Sequence, residues 1–123
     1  MRIQKDHIVI AEDDKFLADM IGKVFRARGA RVTVAYNGQE VLEVMEKDPA
    51  DVLLLDILMP ILDGYAVMEA MKQKRLAAPV IIMSNLSDKA VQEKCRKMNV
   101  KKYFMKNDMD EESLWPVVAK YLS

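Results

Sequence analysis

Three short runs of the chain are almost entirely apolar, at residues 8–11, 52–55 and 80–83. They lack the alternation of polar and apolar positions typical of a strand exposed on one face, so they predict strands buried on both faces of a parallel sheet. Two weaker runs, 31–35 and 101–105, mix polar with apolar residues and predict edge strands. The hydrophobic pattern therefore indicates five strands.

Helical periodicity fills the segments between these runs. The first segment has one apolar stripe, made by Phe16, Leu17, Met20, Ile21 and Val24. Shorter stripes predict helices near residues 37–45, 64–71, 87–98 and 110–122. A strand followed by a helix thus recurs five times along the chain.

Local signals indicate where some helices begin. Asn37 with Glu40 resembles a capping box, and Ser87 suits an N-cap. Pro116 would remove a hydrogen bond beyond the first turn of the last helix. We therefore expect that helix either to start late, near residues 112–113, or to kink.

Alternating strands and helices predict an α/β fold with parallel strands and right-handed crossovers. With five such units we expect one five-stranded sheet in the order 2-1-3-4-5, in a single domain over residues 1–123. Ligands of such sheets bind at the carboxyl ends of the strands, beside the point where the strand order reverses.

Polar side chains directly follow four of the predicted strands. They are Glu12, Asp13 and Asp14 after the first strand, Asp56 after the third, Ser84 after the fourth and Lys106 after the fifth. A single strand-end residue of this kind is commonly a turn, a cap or a solvated side chain. Because these four strands are neighbours in the predicted order, their ends converge, and together they indicate one site.

Carboxylates at close quarters raise each other's pKa, and a divalent cation removes the repulsion. Mg²⁺ takes oxygen ligands, usually one or two carboxylates with water and phosphate oxygens. We therefore interpret Asp13, Asp14 and Asp56 as a Mg²⁺–phosphate site in which Asp56 is a nucleophile on phosphorus. Lys106 would supply positive charge, and Ser84 a hydrogen bond, to the phosphoryl oxygens.

Composition and charge limit the class of protein. The 19 basic and 19 acidic residues give no basic excess, so direct nucleic-acid binding is not expected. No apolar run approaches the roughly 20 residues of a membrane span. The first six residues also lack the apolar segment of a signal peptide. We expect a cytoplasmic protein without membrane contact.

Four segments together resemble the response regulator receiver domains of two-component signalling, the CheY-like family. Residues 56–64, DILMPILDG, resemble the phosphoacceptor segment of that family. Residues 8–14 resemble its first strand and acidic pair, 80–84 its fourth strand and hydroxyl residue, and 103–106 its fifth strand with an aromatic residue and a lysine. The resemblance covers essentially the whole chain and implies a flavodoxin-like (βα)5 fold of three layers.

The resemblance implies a role for each matching position. Asp56 would be phosphorylated, and Lys106 would bind the acyl phosphate. The Mg²⁺ ligands would be Asp13, Asp14, Asp56 and the backbone carbonyl of Leu58, and the switch residues would be Ser84 and Tyr103. Such a domain is a signalling switch rather than an enzyme, although it catalyses its own phosphorylation and slow dephosphorylation.

The resemblance also implies partners. The phosphodonor would be a histidine kinase or a phosphotransfer protein. The signal would pass to a downstream protein or to an output domain that this chain lacks. A monomer and a phosphorylation-dependent dimer are both compatible with the sequence.

Three places depart from the family's pattern. Asn107 stands where proline usually follows the lysine, often with a cis bond; since a non-proline cis bond costs roughly 2.5–4 kcal/mol, we expect a trans bond. Asn85 replaces a small residue and could cover the phosphoacceptor or contact phosphate, and residues 99–100 replace the usual Gly-Ala. The apolar Leu58 and Leu86 predict slow loss of phosphate.

Three other functions fit parts of the pattern. A phosphohydrolase with an aspartyl nucleophile would need a second Asp where the chain has Leu58. A flavodoxin would need a phosphate loop rich in Ser, Thr and Gly where residues 12–14 are acidic. A degenerate receiver used only for docking stays open because of Asn85 and Asn107, although all five key side chains are present.

Overall fold

The computed structural model describes residues 6–86, 88–108 and 110–122. The strands are β1 (His7–Ala11), β2 (Arg31–Ala35), β3 (Val52–Asp56), β4 (Val80–Ser84) and β5 (Lys102–Met105). They form one parallel sheet in the order β2-β1-β3-β4-β5. The predicted α/β, flavodoxin-like fold is confirmed.

Five helices alternate with the strands. They are α1 (Lys15–Ala27), α2 (Gly38–Lys47), α3 (Gly64–Gln73), α4 (Lys89–Lys97) and α5 (Glu111–Ala119). A short 3-10 turn, Lys106–Asp108, follows β5. Within the described ranges, no helix has the length and apolar character needed to cross a bilayer.

Both faces of the sheet are covered by helices, which is why β1, β3 and β4 are apolar at nearly every position. Successive side chains of a strand point to opposite faces. Val9, Leu53, Leu55 and Ile82 join the core on the side of α2 and α3, whereas Ile8, Ile10, Leu54 and Ile81 join the core on the side of α1 and α5. The carboxyl ends of these strands, where the predicted site lies, are therefore held by packed cores on both faces of the sheet.

Each of these five helices begins after a short polar residue whose side chain accepts a hydrogen bond from a backbone N–H of the first turn. These N-caps are Asp14, Asn37, Asp63, Asp88 and Asp110. They satisfy N–H groups that a helix leaves without an internal partner. Ser87, the cap predicted for the fourth helix, lies outside the described residues.

The late start that was one of two outcomes expected from Pro116, near residues 112–113, is wrong, because the last helix begins at Glu111 and contains Pro116 beyond its first turn. Asp110 and Ser113 form a capping box, so Glu111 is the first helical residue and Pro116 the sixth. Pro116 is exposed, so a backbone carbonyl that loses its intrahelical partner there lies near solvent.

The start of α3 packs tightly against the end of β3. The backbone N–H of Gly64 donates to the carbonyl oxygen of Ile57 at 2.7 Å. A Cβ atom on Gly64 would lie 2.8 Å from the carbonyl oxygen of Asp56 and from the Cα atom of Ile57. This approach of two backbones requires glycine at position 64 and fixes the chain around Asp56.

We predict that Gly64→Ala lowers the free energy of unfolding by about 1–3 kcal/mol, because backbone atoms must move to admit the methyl group. Gly22→Ala is the matched control, since its nearest neighbour would be the flexible Nη1 end of Arg26 at 3.2 Å. Alanine is also favoured over glycine inside a helix by about 1 kcal/mol. Urea denaturation should give a lower midpoint for G64A only; equal midpoints for the two variants would contradict the close approach.

Candidate functional site

Asp56, the last residue of β3, lies at the carboxyl edge of the sheet and is only 3% exposed. Its Oδ2 atom accepts a hydrogen bond from Nζ of Lys106 at 2.8 Å. Its Oδ1 atom accepts one from the backbone N–H of Leu58 at 3.3 Å. The carboxylate is therefore held from two sides.

Lys106 contacts a second carboxylate as well, because Nζ also forms an ion pair with Oε1 of Glu12. Burial alone would lower the pKa of Lys106, but its hydrogen bonds with Asp56 and Glu12 outweigh that effect and raise the pKa above its ordinary value. Lys106 is therefore a charged ammonium at neutral pH and the counter-ion of two buried acids.

Glu12 follows β1 directly and is fully buried. Its Oε2 atom accepts a hydrogen bond from the backbone N–H of Asp14 at 3.2 Å. Burial raises the pKa of Glu12 to about 7; the hydrogen bond from Lys106 opposes this rise, and the nearby charge of Asp56 adds to it. Glu12 thus exchanges its proton near neutral pH.

Three carboxylates meet at this edge. Glu12, Asp13 and Asp56 each offer an oxygen atom, and these atoms lie within 4.8 Å of one another. Asp13 is exposed, so the group opens to solvent. The single ammonium of Lys106 leaves the group with a net negative charge whether or not Glu12 is protonated. Oxygen ligands with excess negative charge suit a hard divalent cation such as Mg²⁺.

The structure differs from the sequence interpretation at Asp14. The Oδ1 atom of Asp14 accepts a hydrogen bond from the backbone N–H of Leu17 at 3.1 Å, as the N-cap of α1. Glu12, and not Asp14, joins Asp13 and Asp56 in the carboxylate group. Helix α1 needs an acceptor at its start, and Asp14 supplies it.

Strand register is the sequence-level signal that could have identified Glu12. Residues Ile8 to Ala11 of β1 pair in order with Val52 to Leu55 of β3. The residues that follow the last pair, Ala11 with Leu55, are Glu12 and Asp56. The register therefore places Glu12 beside Asp56. Counting residues from the start of each apolar run therefore selects Glu12 as the neighbour of Asp56.

Ser84 and Tyr103 contact the same short loop after β4. The Oγ atom of buried Ser84 accepts a hydrogen bond from the backbone N–H of Leu86 at 3.1 Å. The hydroxyl of half-buried Tyr103 donates to the carbonyl oxygen of Leu86 at 2.6 Å. Burial raises the pKa of Tyr103, and a hydrogen bond with Ser84 partly offsets the rise. The two predicted switch residues are thus linked through one loop.

A family model described as the response regulator receiver domain matches residues 8–118. The chain belongs to this family. It is a receiver domain of the two-component response regulator type, which decides against the flavodoxin and phosphohydrolase alternatives raised by the sequence.

Curated relatives of this receiver domain include two transcription regulators. It is 39% identical over 84 residues to the transcriptional activator protein PfeR of Pseudomonas aeruginosa, and 36% identical over 86 residues to the DNA-binding transcriptional regulator NtrC of Escherichia coli. These matches cover 68% and 70% of the chain but only 27% and 18% of the relatives. The receiver domain thus corresponds to a minor part of each relative.

Solved structures show the same fold. The receiver domain of the Francisella response regulator 1452 is 28% identical, with a TM-score of 0.87, covering 94% of this chain and 95% of that one. The chemotaxis protein CheY4 of Vibrio cholerae has a TM-score of 0.87 at 17% identity, covering 97% of this chain and 100% of that one. At such low identity, the second likeness concerns the fold alone.

We predict that the raised pKa of Glu12 makes the metal-free domain less stable as pH rises from about 4.5 to about 7. The folded state holds this proton more tightly than the unfolded state, so the stabilisation is complete below pH 4.5 and is lost through the folded pKa. Urea unfolding in EDTA should show the decline in the native protein, and Glu12→Gln should remove most of it. Parallel pH profiles of the two proteins would contradict the raised pKa.

Proposed function

We propose that this receiver domain accepts a phosphoryl group on Asp56, from a histidine kinase or a phosphotransfer protein, in a Mg²⁺-dependent reaction. The observation that carries the proposal is the buried Asp56 carboxylate, hydrogen-bonded to Lys106 and flanked by two further carboxylates. A carboxylate held in place by an ammonium group can act as a nucleophile on phosphorus. The two neighbouring carboxylates add negative charge that would favour binding of a divalent cation.

The residues present suit Mg²⁺. Asp13 and Asp56 would hold the ion together with the backbone carbonyl of Leu58, and we propose Glu12 in the place that the sequence interpretation gave to Asp14. Bound Mg²⁺ supplies positive charge that screens Asp56 from the oxygens of the incoming phosphoryl group.

In the transfer step, an oxygen of the Asp56 carboxylate forms a bond to phosphorus while the bond from phosphorus to the donor's imidazole nitrogen breaks. The imidazole leaves with the bonding electron pair. Lys106 already lies 2.8 Å from Oδ2 of Asp56, so it needs no large movement to neutralise charge that develops on the phosphoryl oxygens.

The signal would leave the site through Ser84 and Tyr103. A phosphoryl group on Asp56 offers new acceptor oxygens to the hydroxyl of Ser84, which at present accepts from Leu86. Since Tyr103 also binds Leu86, a shift of this loop would change the surface around β5. A downstream protein or an output domain would recognise that change.

The proposal extends to the extent, location and oligomeric state of the domain. Residues 1–123 would act as one receiver domain in the cytoplasm, as a monomer or as a phosphorylation-dependent dimer. The domain would catalyse its own phosphorylation and slow dephosphorylation. Its signalling would not involve direct nucleic-acid binding or membrane contact by the receiver domain itself.

We predict that incubation with acetyl phosphate and Mg²⁺ adds the mass of one phosphoryl group, and that Asp56→Asn abolishes the gain. Asp63→Asn is the matched control, because it makes the same chemical change at an exposed helix cap that asparagine also serves. Intact mass spectrometry over time measures the gain, and its subsequent decay should take longer than seconds because Leu58 is apolar. A mass gain that survives in D56N, or no gain in the native domain, would contradict the proposal.

We predict that Asp13→Asn weakens Mg²⁺ binding by about tenfold or more, whereas Asp14→Asn leaves it nearly unchanged. The first variant removes a carboxylate of the close group, and the second keeps an acceptor that can cap α1. Isothermal titration calorimetry gives both dissociation constants. A loss in D14N as large as that in D13N would instead support the assignment made from the sequence, in which both residues are ligands.

A further inference from the structure

Two departures from the family's sequence pattern contact each other in the fold. The side-chain Oδ1 atom of Asn85 accepts a hydrogen bond from the backbone N–H of Asn107 at 3.0 Å. A proline at position 107 would have no N–H to donate, and a small residue at position 85 would have no oxygen to accept. Asn107 therefore supplies the donor, and Asn85 the acceptor, that the residues usual at these positions lack.

This bond continues the attachment of β5 to β4 beyond the end of the strand ladder. The last ladder pair is Ser84 with Met105. Lys106 then begins the 3-10 turn, and no described peptide bond is cis, so the Lys106–Asn107 bond is trans as predicted. Asn85, the residue after Ser84, then binds Asn107. The residues on both sides of Lys106, Met105 and Asn107, are therefore each joined to the end of β4 or the loop that follows it.

A second hydrogen bond joins the same loop to β5 on the other side of Lys106. The hydroxyl of Tyr103 donates to the carbonyl oxygen of Leu86. The segment 84–86 is thus tied to the chain both before and after Lys106. The bond uses the Oδ1 atom of Asn85, whereas a contact with phosphate would use its NH₂ donors, so covering the phosphoacceptor and contacting phosphate both stay predictions.

We propose that Asn85 and Asn107 are a positioning pair that holds the backbone of Lys106 so that its ammonium stays on Asp56 and speeds phosphoryl transfer. The inference rests on the proposed function above. Neither asparagine touches Asp56 in the described contacts; the pair acts through Lys106, whose Nζ lies 2.8 Å from Oδ2 of Asp56.

The test compares variants that break the bond with one that keeps it. Asn85→Ala removes the acceptor and Asn107→Pro removes the donor. Asn107→Ala is the matched control, because the donor is the backbone N–H and survives the change. The rate constant for phosphorylation is measured by mass spectrometry at saturating acetyl phosphate and Mg²⁺, and the Mg²⁺ dissociation constant by calorimetry.

We expect N85A to slow phosphorylation by about two- to tenfold, the range for one modest hydrogen bond. N107A should react like the native domain. The double variant N85A/N107P should be no slower than N85A, because both changes remove the same bond. Mg²⁺ affinity should not change, since the carboxylates come from other strands. If N107P fails to fold, N85A against N107A still decides the question.

Native rates in N85A would overturn the proposal, and so would equal losses in N85A and N107A. A matching loss of Mg²⁺ affinity in N85A would show general loosening of the site rather than positioning. Amide hydrogen exchange at Asn107 should be faster in N85A, independently of phosphorylation. A native domain that takes up no phosphate would instead refute the proposed function itself.

Discussion

The half-buried ammonium of Lys106, which pairs with the buried carboxylates of Asp56 and Glu12, is the interaction on which the site depends. An unpaired negative charge on buried Asp56 or Glu12 would be strongly unfavourable, so each of the two carboxylates needs the ammonium of Lys106. The one positive charge of Lys106 does not neutralise the group, because Asp13 adds a third carboxylate beside Glu12 and Asp56. The remaining negative charge would suit a cation, while burial, with a smaller contribution from the charge of Asp56, raises the pKa of Glu12 to about 7.

The fold serves this charge cluster by bringing distant residues to one edge of the sheet. Glu12 comes from the end of β1, Asp56 from the end of β3 and Lys106 from just beyond β5, on a base of strands whose two faces are both packed. The backbone contact of Gly64 with the end of β3 then fixes the chain beside Asp56. The placement of Asp56 is thus a consequence of core packing, not of the loops alone.

Much of this arrangement could be predicted from the sequence, because apolar runs report burial on both faces and strand ends converge in a parallel sheet. The convergence of Asp56 and Lys106, whose side chains form a hydrogen bond, was predicted in this way. Asp14 was harder, since an Asp after a strand suits either a cation or a helix cap, and only the backbone geometry separates the two uses. The bond between Asn85 and Asn107 was not predicted although both departures were noted, because the sequence does not show which backbone N–H group the Asn85 side chain meets.

The most direct test of the charge cluster is a crystal structure of the domain with Mg²⁺ and beryllofluoride, a mimic of the phosphoryl group. We predict beryllium on a carboxylate oxygen of Asp56, Lys106 against a fluoride, and the metal ion beside Asp13, with Asp14 still capping α1. Beryllofluoride bound elsewhere, or a metal ion ligated by Asp14 and remote from Asp56, would contradict this account.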